Sequence, residues 1–423
     1  MFQNQSRIAV VGAGVAGLTA AYILQRRHKV TIFEKNDYIG GHTHTVIVPD
    51  GPDKGTPVDT GFIVMNHKNY PLFTRLLEQL GIALRNSEMS FGYWDELSGL
   101  QYSGGGLNGF FAQRRNLFRP AFIMMVRDIL RFFKEAERDL VAGSLRNQSL
   151  GDYLREGRYS DFFIRHHLVP MAAAIWSTPD NRMMDFPAES FVQFFHNHGL
   201  LTVNERPQWR TVVGGSHSYV KKILADLKGE VRTSAPITSV LRFDDHVALA
   251  TDTGPAGEFD GVVIAAHADE ALGMLSDPSD DERRLLGTWV YQPNQTVLHT
   301  HAGVMPPLRR IWSSWNYTRE RCGDPDGPAT LTYDMNRLQG LKTQNPLFVS
   351  LNRRAAVPAN RIIMQTVYNH PTYSRDALVV QKELPGLNER RRTWYCGSYF
   401  GYGFHEDAVR SAVEIARGFG LEL

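Results

Sequence analysis

Residues 7–34 read RIAVVGAGVAGLTAAYILQRRHKVTIFE. Ile8–Val11 is a short apolar strand, Leu18 to Arg26 continue as a helix, and Val30–Phe33 form a second strand that ends in Glu34. Between strand and helix stands Gly12-Ala13-Gly14-Val15-Ala16-Gly17, the pattern GxGxxG. Each part has a physical task in holding a dinucleotide. Gly12 permits the tight turn, and Gly14 keeps side-chain atoms away from a pyrophosphate. Gly17 lets helix and strand pack closely, with Ala16 small beside it. The helix N-terminus offers free N–H groups and the positive end of its dipole to phosphate oxygens. Glu34 is placed to accept hydrogen bonds from a ribose diol. Strand, glycines, helix, second strand and terminal acid all occur in order, so we expect a dinucleotide site here and not an ordinary turn.

The following residues narrow the choice of dinucleotide. Glu34-Lys35 leads into Gly40-Gly41-His42-Thr43, a second glycine pair that an NAD fold does not need. Further on come Val58-Asp59-Thr60-Gly61-Phe62-Ile63, the stretch WRTVVGGS at 209–216, and Ser234 to Val240 with Ile237 at its centre. Tyr395-Cys396-Gly397-Ser398 is followed by Gly403-Phe404-His405-Glu406-Asp407-Ala408. In this order the segments resemble the flavoprotein amine oxidase and phytoene-desaturase superfamily over nearly the whole chain. The resemblance implies non-covalent FAD held by Gly12, Gly14, Ala16, Gly17, Glu34, Lys35, Gly41, His42, Thr43, Gly61, Phe62, Ile63, Ile237, Gly397, Ser398, Gly403, Phe404, His405 and Ala408. Cys396 sits immediately before its glycine turn, whereas the family's flavin-linking cysteine lies well upstream. By family position Phe404 is one wall of an aromatic cage before the flavin, and His405 lies beside the ring.

One departure stands out. The position after Gly41 is arginine in most of the superfamily and is His42 here; arginine keeps its charge at any working pH and histidine does not. The GGH version resembles a bacterial branch that includes furan fatty acid desaturases.

The implied fold class is α/β, a Rossmann-type FAD-binding domain with a discontinuous α+β substrate domain. We expect the FAD domain at 1–84, 205–274 and 386–423. The substrate domain then takes 85–204 and 275–385, with a helical part at 107–200. The clearest helix runs from Ala121 to Asp139, with Phe122, Ile123, Val126, Ile129, Leu130 and Phe133 on one face. The segment Leu107–Arg138 carries seven Arg/Lys against three acids. It reads either as a core helix with a solvated side or as a peripheral contact with an anionic membrane.

Composition excludes several classes. The net charge of +2 gives no field for nucleic acid, and the two cysteines, Cys322 and Cys396, are too few for an iron–sulfur cluster or cysteine-rich zinc site. The pairs His42/His44, His196/His198 and His299/His301 have no linked carboxylates or cysteines, so we expect no metal. No apolar run approaches the ~18 residues of a spanning helix. The first strand starts too early for a signal peptide, and the expectation is a cytoplasmic protein, with or without membrane association. No motif speaks to oligomeric state.

Three functions compete. The first is an FAD-dependent oxidoreductase that desaturates an apolar, fatty acyl or phospholipid-bound chain, with a redox-neutral double-bond isomerase as its close variant. The second is an amine oxidase. The third is a non-catalytic lipid-binding module. Many amine oxidases place a lysine near the flavin from the second insertion; this chain has no lysine from Gly229 to Leu341. A small apolar or lipid substrate needs few polar anchors, since each buried methylene contributes ~0.8 kcal/mol. His405 is the nominee for a catalytic base.

Overall fold

The computed structural model describes residues 4–176, 180–202, 207–321, 329–355 and 357–423. Cys322 lies outside the described residues. The apolar runs around the glycine turn form the centre of a five-stranded parallel sheet in the order Thr393–Tyr395, Gly261–Ile264, Arg7–Val11, Lys29–Phe33, Glu230–Arg232. Its central strands read as near-continuous apolar runs because both faces are covered. Helices Val15–Leu24 and His405–Gly418 pack together over one face, while a three-stranded antiparallel sheet from Ile237 to Phe259 belongs to the same half of the molecule. In register, Val11 lies between Ile264 and Phe33. The carboxyl ends of three strands thus converge on Gly12, Glu34 and Ala265, where an open α/β sheet binds its ligand.

A second sheet has seven strands, in the order Ile362–Thr372, Val290–His299, Phe348–Leu351, Leu331–Asp334, Trp315–Arg319, Phe91–Asp95, Gln101–Ser103. It is antiparallel except where Trp315–Arg319 runs beside Phe91–Asp95. Helices Pro120–Val141, Leu150–Glu156, Val169–Trp176 and Ala188–Asn197 stand beside it. The expected α/β architecture, a parallel nucleotide-binding sheet with a separate mixed sheet, is the one observed. No helix among the described residues is long and apolar enough to cross a membrane.

The long helix corrects one expectation. Its buried face is Phe122, Met125, Ile129, Phe132 and Ala136, whereas Ile123 and Leu130 are 44% and 56% exposed. Val126 and Phe133 are only partly buried. The reason is Asp128. Its buried carboxylate accepts the Ser160 N–H at 2.9 Å, at the start of the short helix Asp161–Phe163. A polar residue drawn inward rotates the helix away from the face that periodicity alone selects.

Candidate active site

The three fingerprint glycines are required for different reasons. A Cβ on Gly12, at φ +100°, would stand 2.6 Å from the Ala265 carbonyl oxygen, and one on Gly17 would stand 1.9 Å from that of Gly12. Those two are demanded by the protein's own packing. A Cβ on Gly14 would meet nothing within 4 Å, and its backbone is ordinary extended chain at φ −73°. Glycine at 14 therefore keeps open a space that the protein leaves unfilled. The Gly40-Gly41 turn folds against it through a hydrogen bond from Gly40 N–H to Ala13 O at 3.0 Å. Glu34 is held rigidly beside the turn. One carboxylate oxygen accepts from Ala13 N–H at 2.8 Å, the other from the Asn36 N–H and side-chain amide.

These elements open on a cleft of about 830 Å³ that runs from Glu34 and Ile237 to the C-terminal turn. Small-molecule sites span roughly 300–1,000 Å³. Gly12, Gly14, Ala16, Glu34, Lys35, Gly41, His42, Gly61, Phe62, Ile237, Gly397, Ser398, Gly403, Phe404, His405 and Ala408 all line it. Gly17, Thr43 and Ile63 do not. Gly17 lies in the helix packing just described. Thr43 is wholly buried behind the wall, where its hydroxyl meets Tyr219 OH at 2.5 Å and His405 Nε2 at 3.0 Å. Ile63 contributes its carbonyl to Thr211.

The two ends of the cleft differ in chemistry. At the Glu34 end, Lys35 pairs with Glu270 at 2.5 Å. Glu34, Lys35 and Glu270 are the acidic and lysine side chains of the lining, and no arginine lines it among the described residues. In the middle His42 approaches His370 and His267, ring centroids 5.4 and 6.2 Å apart, with Tyr368 at 5.0 Å. Burial, then the neighbouring histidines, lower the His42 pKa well below the usual imidazole value; burial and His267 bring His370 to about 4. At the far end the lining is aromatic and uncharged. Phe404 stacks on Phe194 at 5.2 Å, Tyr402 meets Phe194 edge-on, and Ile175, Trp176 and Tyr333 complete the wall. His405 stacks on Phe62 at 3.7 Å, and burial lowers its pKa to about 3.

The other singled-out groups have structural partners. His44 bonds Tyr368 OH, His198 the Phe194 carbonyl and His299 the Ser350 hydroxyl. Ser216 donates to Asp59, whose carboxylate also accepts from Thr45 and Gln339; burial raises the Asp59 pKa to about 6 against those hydrogen bonds. This cluster anchors the Val58–Phe62 segment on the helix His217–Asp226. Cys396 is fully buried, and burial pushes its thiol up to about 12.

Sequence reading missed His267, Tyr291, Tyr333 and the face Thr366, Tyr368, His370. The last was detectable, because the three alternate along the strand Ile362–Thr372.

FAD fits this cleft on three counts. Gly14 guards unfilled space at a helix N-terminus, Glu34 is fixed at the end of the second strand, and the buried hydroxyls of Tyr373 and Tyr399, both in the lining, have no hydrogen-bond partner among the described residues. Comparison with known proteins agrees. The model of the family described as flavin containing amine oxidoreductase matches residues 15–301. An L-amino-acid oxidase of Siganus canaliculatus is 24% identical over 67% of this chain and 54% of its own length. That of Mus musculus is 26% identical over 58% of this chain and 39% of its own. The chain thus spans about half, or less, of those relatives' length. Two solved structures share the fold across 98–99% of this chain: a fatty acid isomerase from P. acnes that produces CLA (TM-score 0.70, 17% identity, 100% of that chain) and a putrescine oxidase bound to putrescine (0.69, 16%, 99%). The chain belongs to a family of FAD-dependent enzymes, the flavin-containing amine oxidoreductases.

Proposed function

We propose that this chain oxidises an apolar substrate, a fatty acyl chain free or carried on phospholipid: one carbon gives up a hydride to bound FAD, its neighbour a proton that is released to solvent, and a double bond remains. One observation carries the reading. The end of the cleft formed by Phe404, Tyr402, Trp176, Ile175 and Tyr333, with Phe194 packed behind Phe404, is aromatic and aliphatic, without a carboxylate, lysine or arginine in its lining among the described residues. A cationic amine or an amino-acid carboxylate would be buried there without a counter-charge, at a cost of several kcal/mol per ion. An alkyl chain gains from each methylene covered.

The chemistry that bound FAD supplies is acceptance of a hydride from a substrate C–H bond. The residues of this chain bind, orient and exclude water. Gly14, Gly41 and the start of helix Val15–Leu24 receive the pyrophosphate, Glu34 the ribose, and Gly403 to Ala408 the flavin end. Phe404 and Tyr402 hold the reacting chain, with Phe194 supporting Phe404 from behind. His405 serves as wall and support, not as base. Its Nε2 is bonded to Thr43 and stands 3.3 Å from Tyr219 OH, and its low pKa makes it a weak proton acceptor.

The amine oxidase reading rests on the matching family, flavin containing amine oxidoreductase, and on the L-amino-acid oxidases among the relatives. Anaerobic mixing separates the two. Fatty acids and phospholipids are expected to bleach the flavin, and benzylamine, putrescine and L-amino acids are expected to leave it oxidised. Bleaching by an amine with no response to lipid would reverse the assignment. A product with a moved double bond and no net flavin reduction would make the enzyme an isomerase of the same substrate.

A further inference from the structure

The turn of the long helix that leaves Ile123 and Leu130 outside has a counterpart in the residues before it. Phe118 is 88% exposed and Leu107 80%, with Leu117 beside them and Leu97 at 63%. These come from three segments that are tied together. The Gln113 side chain donates to Gly99 O at 2.8 Å, joining the hairpin turn that carries Leu97 to the 114–118 turn. Arg114 donates to Phe111 O and Asn108, joining that turn to residues 107–110. Phe110 and Phe111 pack on Phe122, fixing both to the long helix.

Glu96, beside Leu97, is paired with Arg353, and the charges without an ion-pair partner around this apolar set are of one sign. Arg114, Arg115, Arg119, Arg127 and Lys134 make no ion pair among the described residues, whereas Arg131 and Arg138 of the same helix do. The acids are engaged elsewhere. Asp128 faces inward to Ser160, Glu135 accepts from Tyr159 OH, and Glu137 lies 3.6 Å from His196. Segment 107–138 thus carries a charge of +4 where the whole chain carries +2, and its free charges are cationic.

We propose that this surface docks the protein on an anionic lipid bilayer, with Phe118, Leu117 and Leu107 entering the acyl boundary and the free arginines meeting lipid phosphates. Exposed large apolar groups ringed by cations match the two-part chemistry of such a boundary. The inference rests on this surface and not on the substrate reading. A lipid surface is nonetheless where a fatty acyl substrate would be met. The helix Pro120–Val141 packs on Ala188–Asn197, whose Phe194 backs the cleft residue Phe404.

Flotation of the whole FAD-loaded protein with vesicles tests the idea without turnover. Phosphatidylcholine vesicles containing phosphatidylglycerol are expected to carry it up at low salt, and phosphatidylcholine alone is not. The double variants Phe118→Ser/Leu107→Ser and Arg115→Glu/Arg127→Glu should each reduce the bound fraction roughly tenfold or more, with flavin content and melting temperature unchanged. No flotation on anionic vesicles, or equal flotation of parent and variants, overturns the proposal. A concentration-dependent dimer abolished by Phe118→Ser would also overturn it, giving the surface to a second copy of the chain. Flavin bleaching by fatty acid in solution is a separate readout, so either reading can fail alone.

Discussion

Single residues decide whether the cleft can hold its cofactor. Gly14→Val is expected to fold, because its Cβ meets nothing and its φ suits any residue, yet to lose the flavin because the side chain enters the unfilled space. Gly17→Val should fail to fold, since even a Cβ there collides with the Gly12 carbonyl. Purified Gly14→Val with normal circular dichroism and full flavin content would contradict the first. His42 makes a second, pH-dependent case. With no arginine in the lining, the diphosphate would be met by His42, His267 and His370, beside a lysine already paired to Glu270. These imidazoles are neutral at pH 7 in the free protein because burial lowers their pKa. An approaching anion raises it. Affinity gained by protonation is therefore complete below the free pKa, falls as pH rises from the free to the bound value, and is absent above the bound one. FAD affinity, followed by fluorescence quenching, should weaken as pH rises above about 4, the free-protein value of His370, and His42→Arg should flatten that slope. The glycines and Glu34 were legible from sequence because their spacing reflects a local turn. His267 was not, since it comes from an element more than two hundred residues away, and the alternation that marks His370 gives no sign of its pairing with His42.

At the level of elements, periodicity located the long helix to within two residues at each end but selected the wrong part of its circumference. Counting apolar positions treats every hydrophobic residue as buried and every acid as exposed. Here Asp128 is buried to cap another helix, and Ile123 and Leu130 are left outside to form a surface. The inner and outer faces can be told apart by stability. Phe132→Ala should cost ~3–5 kcal/mol in denaturant unfolding, because that ring is buried among Tyr153, Tyr159 and Phe163. Leu130→Lys should change it by less than about 0.5 kcal/mol. A large loss from Leu130→Lys would mean that the helix is seated as periodicity alone suggested. The aromatic wall shows the same limit. The C-terminal motif marked Phe404, but its partner Phe194 lies on a helix without any motif, and only packing joins them.

Across the whole molecule, a chain whose nucleotide-binding sheet draws strands from residues 7–33, 230–232, 261–264 and 393–395 must be fastened where distant stretches meet. One such fastening is buried. Arg242, its side chain wholly inaccessible, donates to Glu282 at 2.5 and 3.0 Å and to Asp277 at 2.8 Å, and Tyr395 OH donates to Glu282 at 2.6 Å. The three-stranded sheet, the helix Asp280–Gly287 and the last strand of the parallel sheet are joined at one carboxylate. Burial pushes the Glu282 pKa up, but the hydrogen bonds from Arg242 and Tyr395 outweigh it and bring it to about 2, against an ordinary 4.5. The sign follows from proton uptake on unfolding. Below pH 4.5 the unfolded chain binds a proton that the folded one does not, so this stabilisation is complete above 4.5 and is lost as pH falls towards 2. Glu282→Ala leaves Arg242 buried without its main counter-charge and is expected to cost about 3–5 kcal/mol at neutral pH. Glu282→Gln keeps an acceptor for Tyr395 but no titrating group, so its unfolding free energy should fall less steeply between pH 5 and 2 than the parent's. Parallel acid profiles for parent and Glu282→Gln would show that the fastening contributes nothing to the pH dependence of the fold.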